Sequence, residues 1–342
     1  MKKHANIPIF IPHLGCPNQC VFCNQRKITG VESFSASSVR TVIEEALATI
    51  PDGVEVEIAF FGGSFTGIDR ALMIELLTIA NSYVQSGVVS SIRCSTRPDY
   101  ISPEILDILS EYNVNVIELG LQSADDTVLL ATKRGHNFEA EKYACRMILD
   151  RGFELVGQMM IGLPGASVES EEKTAKFIIE SGATAARIYP TVVFRDTELC
   201  EMQIHGEYES LSEEDAIFRS ARVLKMFRDA GVSVIRIGLC ASENLSNESS
   251  YYSGPNHPAL GELVENEYYY NKILESVDKY NINPGSCLTV AVSPGSLSKA
   301  IGQSKRNKLR LTSQLKPKSL QFVEDASLPE HAIDVRIGER NR

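Results

Sequence analysis

The chain has 342 residues, is 43% hydrophobic and carries a formal net charge of −10. That length allows one large domain or two smaller ones, with ample material for a core. The acidic balance argues against a generic nucleic-acid binder, and no apolar run approaches the ~20 residues that span a bilayer.

The first apolar run, Ile7-Pro8-Ile9-Phe10-Ile11-Pro12, reads as a strand and leads into Gly15-Cys16-Pro17-Asn18-Gln19-Cys20-Val21-Phe22-Cys23-Asn24. The Met1-Lys2-Lys3-His4 start is followed by too short and too proline-broken an apolar stretch for a secretory signal, so the expectation is a cytoplasmic protein in a reducing compartment. Eight cysteines there fit metal binding plus buried thiols. Three thiolates at C-x3-C-x2-C spacing can hold a cubane iron–sulfur cluster by three of its irons, leaving one iron open to a small molecule. A Cys3His zinc site built from His13, Cys16, Cys20 and Cys23 stands as the alternative. Cys94, Cys145, Cys200, Cys240 and Cys287 show no ligand spacing.

Ser35 to Ile50 carries one apolar stripe and predicts a helix, stopped by Pro51-Asp52-Gly53. Val54 to Phe61 alternates as a strand and runs into Gly62-Gly63-Ser64-Phe65-Thr66-Gly67. Further helices are expected from Asp69 to Ser86, from the Ser102-Pro103 start, from Phe138 to Arg151 and from Ser167 to Ser181. Strands are expected over Val88 to Ser95, Val114 to Leu121, from Gly152-Phe153 to the Met159-Met160-Ile161-Gly162 run, and over Ala185 to Pro190. Six β-α units in succession argue a parallel α/β sheet, and their polar residues fall after strand C-terminal ends, where such folds build sites. Periodicity does not choose between a closed barrel and an open sheet.

Downstream, Ser212-Glu213-Glu214-Asp215 opens a helix to about Ala230, and Val232 to Leu239 is a strand. Ser242 to Asn256 reads as a polar loop, and His257-Pro258 opens a helix to about Tyr280. Leu288 to Val292, Leu309 to Thr312, Leu320 to Val323 and Ile333 to Ile337 read as short strands. Between Lys279 and Val323 there is no acidic residue but eight basic ones, which offers a phosphate backbone a contact unless the stretch docks on the acidic body.

The C-x3-C-x2-C loop with Phe22 before the last cysteine resembles the radical S-adenosylmethionine (SAM) superfamily. The resemblance implies a partial (β/α)6 barrel, like an opened TIM barrel, over residues 1–240, with a small α+β extension over 241–342. It implies a [4Fe-4S] cluster on Cys16, Cys20 and Cys23 and bound SAM. It further implies reductive cleavage of SAM to a 5′-deoxyadenosyl radical that takes hydrogen from a substrate. An external one-electron reductant of flavodoxin or ferredoxin type is implied as partner. By the same resemblance Gly62, Gly63 and Ser64 stand where the family has Gly-Gly-Glu against the amino group of SAM, so this chain departs from the pattern at Ser64. Arg134 stands where oxygen-independent coproporphyrinogen oxidases place an arginine on its carboxylate. Ser95, Gln122 and Ser123 are candidates for the ribose hydroxyls, against the reading that the serines cap helices. Met159, Ile161 and Tyr189 are candidates for adenine contacts, against plain strand core. Lys27, Arg97, His136, Tyr251, Tyr252 and His257 are weighed as substrate contacts, and none is singled out as catalytic.

A narrower resemblance extends to about residue 261. Gly62-Gly63-Ser64-Phe65-Thr66, Ser95-Thr96-Arg97-Pro98-Asp99-Tyr100, Lys133-Arg134-Gly135-His136, Ile188-Tyr189-Pro190-Thr191 and His257-Pro258-Ala259-Leu260-Gly261 resemble the catalytic subunit of Elongator. That family modifies wobble uridine in tRNA and carries an acetyltransferase domain. The stretch after Cys240 shows no acyl-CoA-binding glycine-rich loop, so the resemblance is to stand-alone radical SAM proteins of the Elongator-like group. The implied substrate is RNA, met in part by the basic 279–323 stretch. A small molecule or a tetrapyrrole is the alternative, and a non-catalytic zinc- or cluster-binding protein is the alternative of another class.

Overall fold

The computed structural model describes residues 4–11, 14–16, 20–24, 34–239, 250–280 and 282–337. The chain forms two compact units, one of residues 1–216 and 226–256, the other of residues 217–225 and 257–342. The boundary expected at 240/241 lies outside the described residues.

The first unit is built on seven parallel strands in the order β1 (His4–Ile11), β2 (Glu55–Gly62), β3 (Ser91–Thr96), β4 (Val114–Gln122), β5 (Glu154–Ile161), β6 (Ala185–Pro190) and β8 (Ser233–Ile237). β1 and β8 are its two edges, so the sheet stays open, as a partial barrel does. The expectation of six β-α units is met, and the strand expected over Val232 to Leu239 adds a seventh beside β6.

Crossover helices α1 (Val39–Thr49), α2 (Arg70–Gln85), α3 (Pro103–Glu111), α4 (Asp126–Ala131), α5 (Phe138–Asp150) and α6 (Val168–Glu180) join successive strands. Apart from α1, their starts follow from short polar side chains that accept the first free backbone N–H groups. Asp69 accepts from Leu72, Ser102 from Ile105, Asn137 from Ala140 and Ser167 from Ser170.

The strand residues alternate between a helix-facing core and the opposite, concave face. A Cβ on Gly157 would meet the Ile178 side chain of α6 at 2.7 Å, so 157, 159 and 161 face the helices. The opposite face carries Glu57, Arg93, Glu118, Gln158 and Arg187, which hydrogen-bond to one another.

After β6 the chain adds the two-residue strand β7 (Val193–Phe194), α7 (Glu198–Ile204) and α8 (Glu213–Asp229). The Ser212 hydroxyl accepts from the Asp215 N–H at 3.0 Å, as the capping pattern there predicts. Of the segment read as a loop over Ser242 to Asn256, residues 242–249 lie outside the described residues, and the rest is corrected: Tyr251–Ser253 forms β9, antiparallel to β7. Its polar neighbours hid a pair too short to show alternation.

The second unit pairs a three-stranded sheet, in the order β11 (Ser319–Glu324), β10 (Cys287–Val292), β12 (Ile333–Ile337), with α9 (Leu260–Lys279), α10 (Leu297–Ile301) and α11 (Arg306–Leu315). The strand expected over Leu309 to Thr312 is wrong, because those residues lie in α11. Leu309 and Leu311 mimic alternation, yet Leu311 is fully buried beside Asn307 one turn earlier, while Leu309 is 65% exposed. Helical spacing, not strand pairing, decides which leucine is covered. Among the described residues no helix is long and apolar enough to cross a membrane.

Candidate active site at the cysteine loop

The cysteine loop leaves the C-terminal end of β1 and folds against the Gly-Gly-Ser turn that ends β2. The two backbones touch where glycine leaves room. A Cβ on Gly15 would stand 2.3 Å from the Ser64 carbonyl oxygen, and one on Gly67 would stand 2.4 Å from that of Gly15. A Cβ on Gly63 would meet the Leu14 carbonyl oxygen, and Gly62, with φ +106°, lies against the Ile11 backbone. Gly62 and Gly63 therefore hold the loop in place, apart from any role toward a ligand.

Ser64 is buried. Its hydroxyl lies 2.9 Å from the Thr96 hydroxyl and accepts from the Arg97 N–H at 3.3 Å. Thr66 completes the cluster, 2.6 Å from Thr96. Burial pushes the Cys16 thiol up, and Arg97 together with a backbone hydrogen bond from Ser64 opposes that shift.

Cys20 is buried between two guanidinium groups. Arg134 Nη1 donates to its Sγ at 3.3 Å and Arg97 Nη1 at 3.6 Å. Arg134 also donates to the Gly120 carbonyl, and a Cβ on Gly120 would stand 2.9 Å from the Gln122 side-chain Nε2, so glycine makes room for that amide. Arg97 donates in turn to the Arg134 carbonyl. Val21 N–H bonds the Thr132 carbonyl and Cys23 N–H the Cys20 carbonyl, fixing the loop's second half.

Gln122, at the end of β4, holds φ +70°, a conformation that costs a non-glycine residue about 1–2 kcal/mol. The β4–β5 register shifts between Gly120 and Gln122. Ser95 is partly buried and accepts from Gln158 at 3.2 Å. Ser123 caps its own turn, accepting from the Asp125 N–H at 3.3 Å. Met159 and Ile161 are fully buried on the helix side of β5, which leaves only their backbone to the concave face. Tyr189 is partly buried on β6, where burial pushes its phenol up against the pull of Arg187. His13 and Lys27 lie outside the described residues. Arg97 is buried, and the His136 side chain, 2% exposed, lies 3.1 Å from Glu141, so both are engaged within the protein.

Sequence reasoning missed the charged layer below this site. Glu118 is fully buried and accepts from Arg93 at 3.0 Å, Gln158 at 2.9 Å and Arg187 at 2.7 and 2.8 Å. Glu57 takes Arg93, Ser91 and His4. The signal was a lone charge inside each apolar strand: Arg93 in β3, Glu118 in β4, Arg187 in β6.

Among the described residues no three His, Cys, Asp or Glu side chains form a set close enough for a single metal ion. A cubane cluster is a larger body, and its thiolates stand further apart than the ligands of one ion. The donors present fit it. Three cysteines share one loop, none in a disulfide, and two guanidiniums face the central one. Among the described residues the buried Arg134 Nε has no hydrogen-bond partner, a donor left over for an anionic group.

An open parallel sheet with a cysteine loop at the mouth defines a cofactor-dependent α/β enzyme. Residues 10–178 match the radical SAM superfamily and residues 183–270 its C-terminal domain. The chain belongs to the radical SAM superfamily. It is 32% identical over 232 residues to an uncharacterised protein of Methanocaldococcus jannaschii, covering 63% of this chain and 70% of that one. Over 125 residues it is 35% identical to the tRNA uridine(34) acetyltransferase of Methanocaldococcus infernus, covering 36% of this chain and 23% of that one. Elongator complex protein 3 of Homo sapiens is 27% identical over 63% of this chain and 47% of its own. The chain thus spans under half the length of its named relatives. The archaeal Elp3 of M. infernus superposes with a TM-score of 0.63 at 22% identity, covering 87% of this chain and 73% of that one, a likeness of fold.

The family consists of enzymes that use a [4Fe-4S] cluster and SAM and draw on an electron donor.

Proposed function

We propose that this chain is a radical SAM enzyme that modifies RNA, with tRNA as the substrate class. When bound, the cluster and SAM supply an organic radical that abstracts hydrogen. Cys16, Cys20 and Cys23 hold the cluster. The Gly62-Gly63-Ser64 turn, Ser95, Gln122, Ser123, Arg134, the backbone at Met159 and Ile161, and Tyr189 form the walls for SAM. A flavodoxin or ferredoxin supplies the electron.

The observation that carries the reading is the Cys20 thiol between two guanidiniums, on a loop locked to the β2 turn. Buried positive charge favours thiolates and the anionic cluster they ligate. The RNA part rests on the relatives named for tRNA chemistry and on the second unit's cations. Lys299 and Arg310 are taken up by Glu265 and Glu267 of α9. Lys305, Lys316 and Lys318 are exposed at the two ends of α11 and beyond it.

Anaerobic reconstitution with iron, sulfide, reductant and SAM should give 5′-deoxyadenosine, and replacing Cys20 with alanine should abolish it. Its absence even with candidate RNAs present would overturn the radical reading. Mass spectrometry of tRNA nucleosides from a deletion strain and its parent should differ in one modified base. Binding of tRNA should weaken with salt, with a smaller slope once Lys305, Lys316 and Lys318 are neutralised. Identical nucleoside profiles would overturn the RNA assignment.

A further inference from the structure

A chain of polar groups runs from α5 to the central cysteine. The His136 ring Nε2 lies 3.1 Å from Glu141 Oε1. Its other nitrogen, Nδ1, lies 3.6 Å from Asp99 Oδ1. Asp99 accepts a two-pronged contact from Arg97, Nε at 2.9 Å and Nη2 at 2.8 Å. Arg97 Nη1 then reaches Cys20 Sγ. The His136 and Glu141 side chains are 2% and 0% exposed, so water does not compete for the contact between them, while the Asp99 side chain is 24% exposed.

Burial works against the Asp99 carboxylate, yet the His136 ring 3.6 Å away and the hydrogen bonds from Arg97 overcome it and hold its carboxyl below the ordinary range. The bidentate fork fixes the plane of the Arg97 guanidinium. Arg134 touches the same sulfur from a different strand crossover and has no carboxylate at hydrogen-bond distance among the described residues, so it lacks an equivalent clamp.

Resting on the assignment of the cluster to Cys16, Cys20 and Cys23, the geometry points to Arg97 as a positioning residue that tunes the cluster through Cys20, with Asp99 and His136 holding it in place. Charge and hydrogen bonds at ligand sulfurs set the potential of iron–sulfur clusters. A guanidinium on Cys20 favours the more negative, reduced state and makes the first electron easier to accept. Asp99 contributes by aiming that guanidinium, and His136 by aiming Asp99.

The two ways Asp99 can act have opposite signs. As a bare negative charge, it lowers the potential, and its removal raises it. As a clamp on Arg97, its removal lowers the potential. The test is the midpoint potential of the anaerobically reconstituted protein, followed by EPR, in Arg97→Gln, Arg97→Lys, Asp99→Asn, His136→Gln and the Arg97→Gln/Asp99→Asn pair. Arg70→Gln, an exposed site paired with Glu104, serves as control.

The expected result is a more negative potential in Arg97→Gln and Asp99→Asn, a smaller shift in His136→Gln, partial return in Arg97→Lys, and none in the control. The double variant should match Arg97→Gln alone, because a clamp with nothing to hold does nothing. Iron and sulfide per chain and the melting temperature of the cluster-free protein show whether each variant is folded and loaded. A positive shift in Asp99→Asn, or unchanged potentials in loaded variants, would overturn the inference while leaving the cluster assignment intact. A wild-type protein that binds no cluster would overturn both.

Discussion

A Cβ placed on Gly63 would stand 2.3 Å from the carbonyl oxygen of Leu14. Neither partner is a flexible side-chain tip, so the β2 turn and the cysteine loop have to part for any larger residue. Gly63→Ala is expected to cost roughly 1–3 kcal/mol of stability and to lower the iron retained per chain after reconstitution. Iron analysis and a thermal melt check it. Full iron loading in a protein of unchanged melting temperature would show that the contact does not hold the loop.

The charged layer of the concave face is sensitive to losing one member. Glu118→Ala leaves Arg93 and Arg187 buried without their shared carboxylate, a loss of roughly 3–5 kcal/mol for a broken buried pair. Glu118→Gln keeps the acceptor oxygen and should cost less. Urea unfolding of the cluster-free protein orders the two, and equal costs would mean that shape rather than charge matters there.

Burial pushes the Glu141 carboxyl up to about 7, with the hydrogen bond from His136 pulling the other way. A carboxyl whose pKa rises on folding binds its proton more tightly in the folded chain. Its contribution to stability is present below the unfolded value near 4.5 and is lost as pH rises through about 7. Unfolding free energies across that window should fall less steeply in Glu141→Gln than in the parent. Parallel slopes would remove Glu141 as the source.

In α11 the two leucines are unequal. Leu311→Ala should cost roughly 2–5 kcal/mol, as buried leucine truncations do, while Leu309→Ala stays within about 0.5 kcal/mol as an exposed site. A strand would put both side chains on one face and give matched losses in a chemical denaturation series.

The alternation of strands and helices, the three cysteines and the basic C-terminal stretch are all legible in the sequence, because each is a local pattern. The faces of β5 are not. After Gln158 the strand ends in the apolar Met159-Met160-Ile161, with no further polar residue to tell the two methionines apart. The roles of Arg97, Asp99, His136 and Glu141 were hidden for another reason. Arg97 pairs with Asp99 two residues on and His136 with Glu141 five on, but the contacts that join these pairs to each other and to Cys20 span long stretches of sequence. A lone arginine or histidine looks the same on a surface as in a relay. Leu309 to Thr312 misled because two residues of alternation fit a strand and one helical turn equally well.

Cys20 and its guanidinium partners are widely separated in synthesis. Arg97 lies 77 residues after Cys20, and Arg134 lies 114 after it. At about 5–20 residues per second, the thiols emerge from the ribosome several seconds before the groups that enclose them. During that interval they are open to oxygen and to stray metal. Under the proposed assignment of the cluster to these thiols, its loading belongs after translation has passed Arg134, and a ribosome stalled earlier would leave a nascent chain whose cysteines are not yet enclosed.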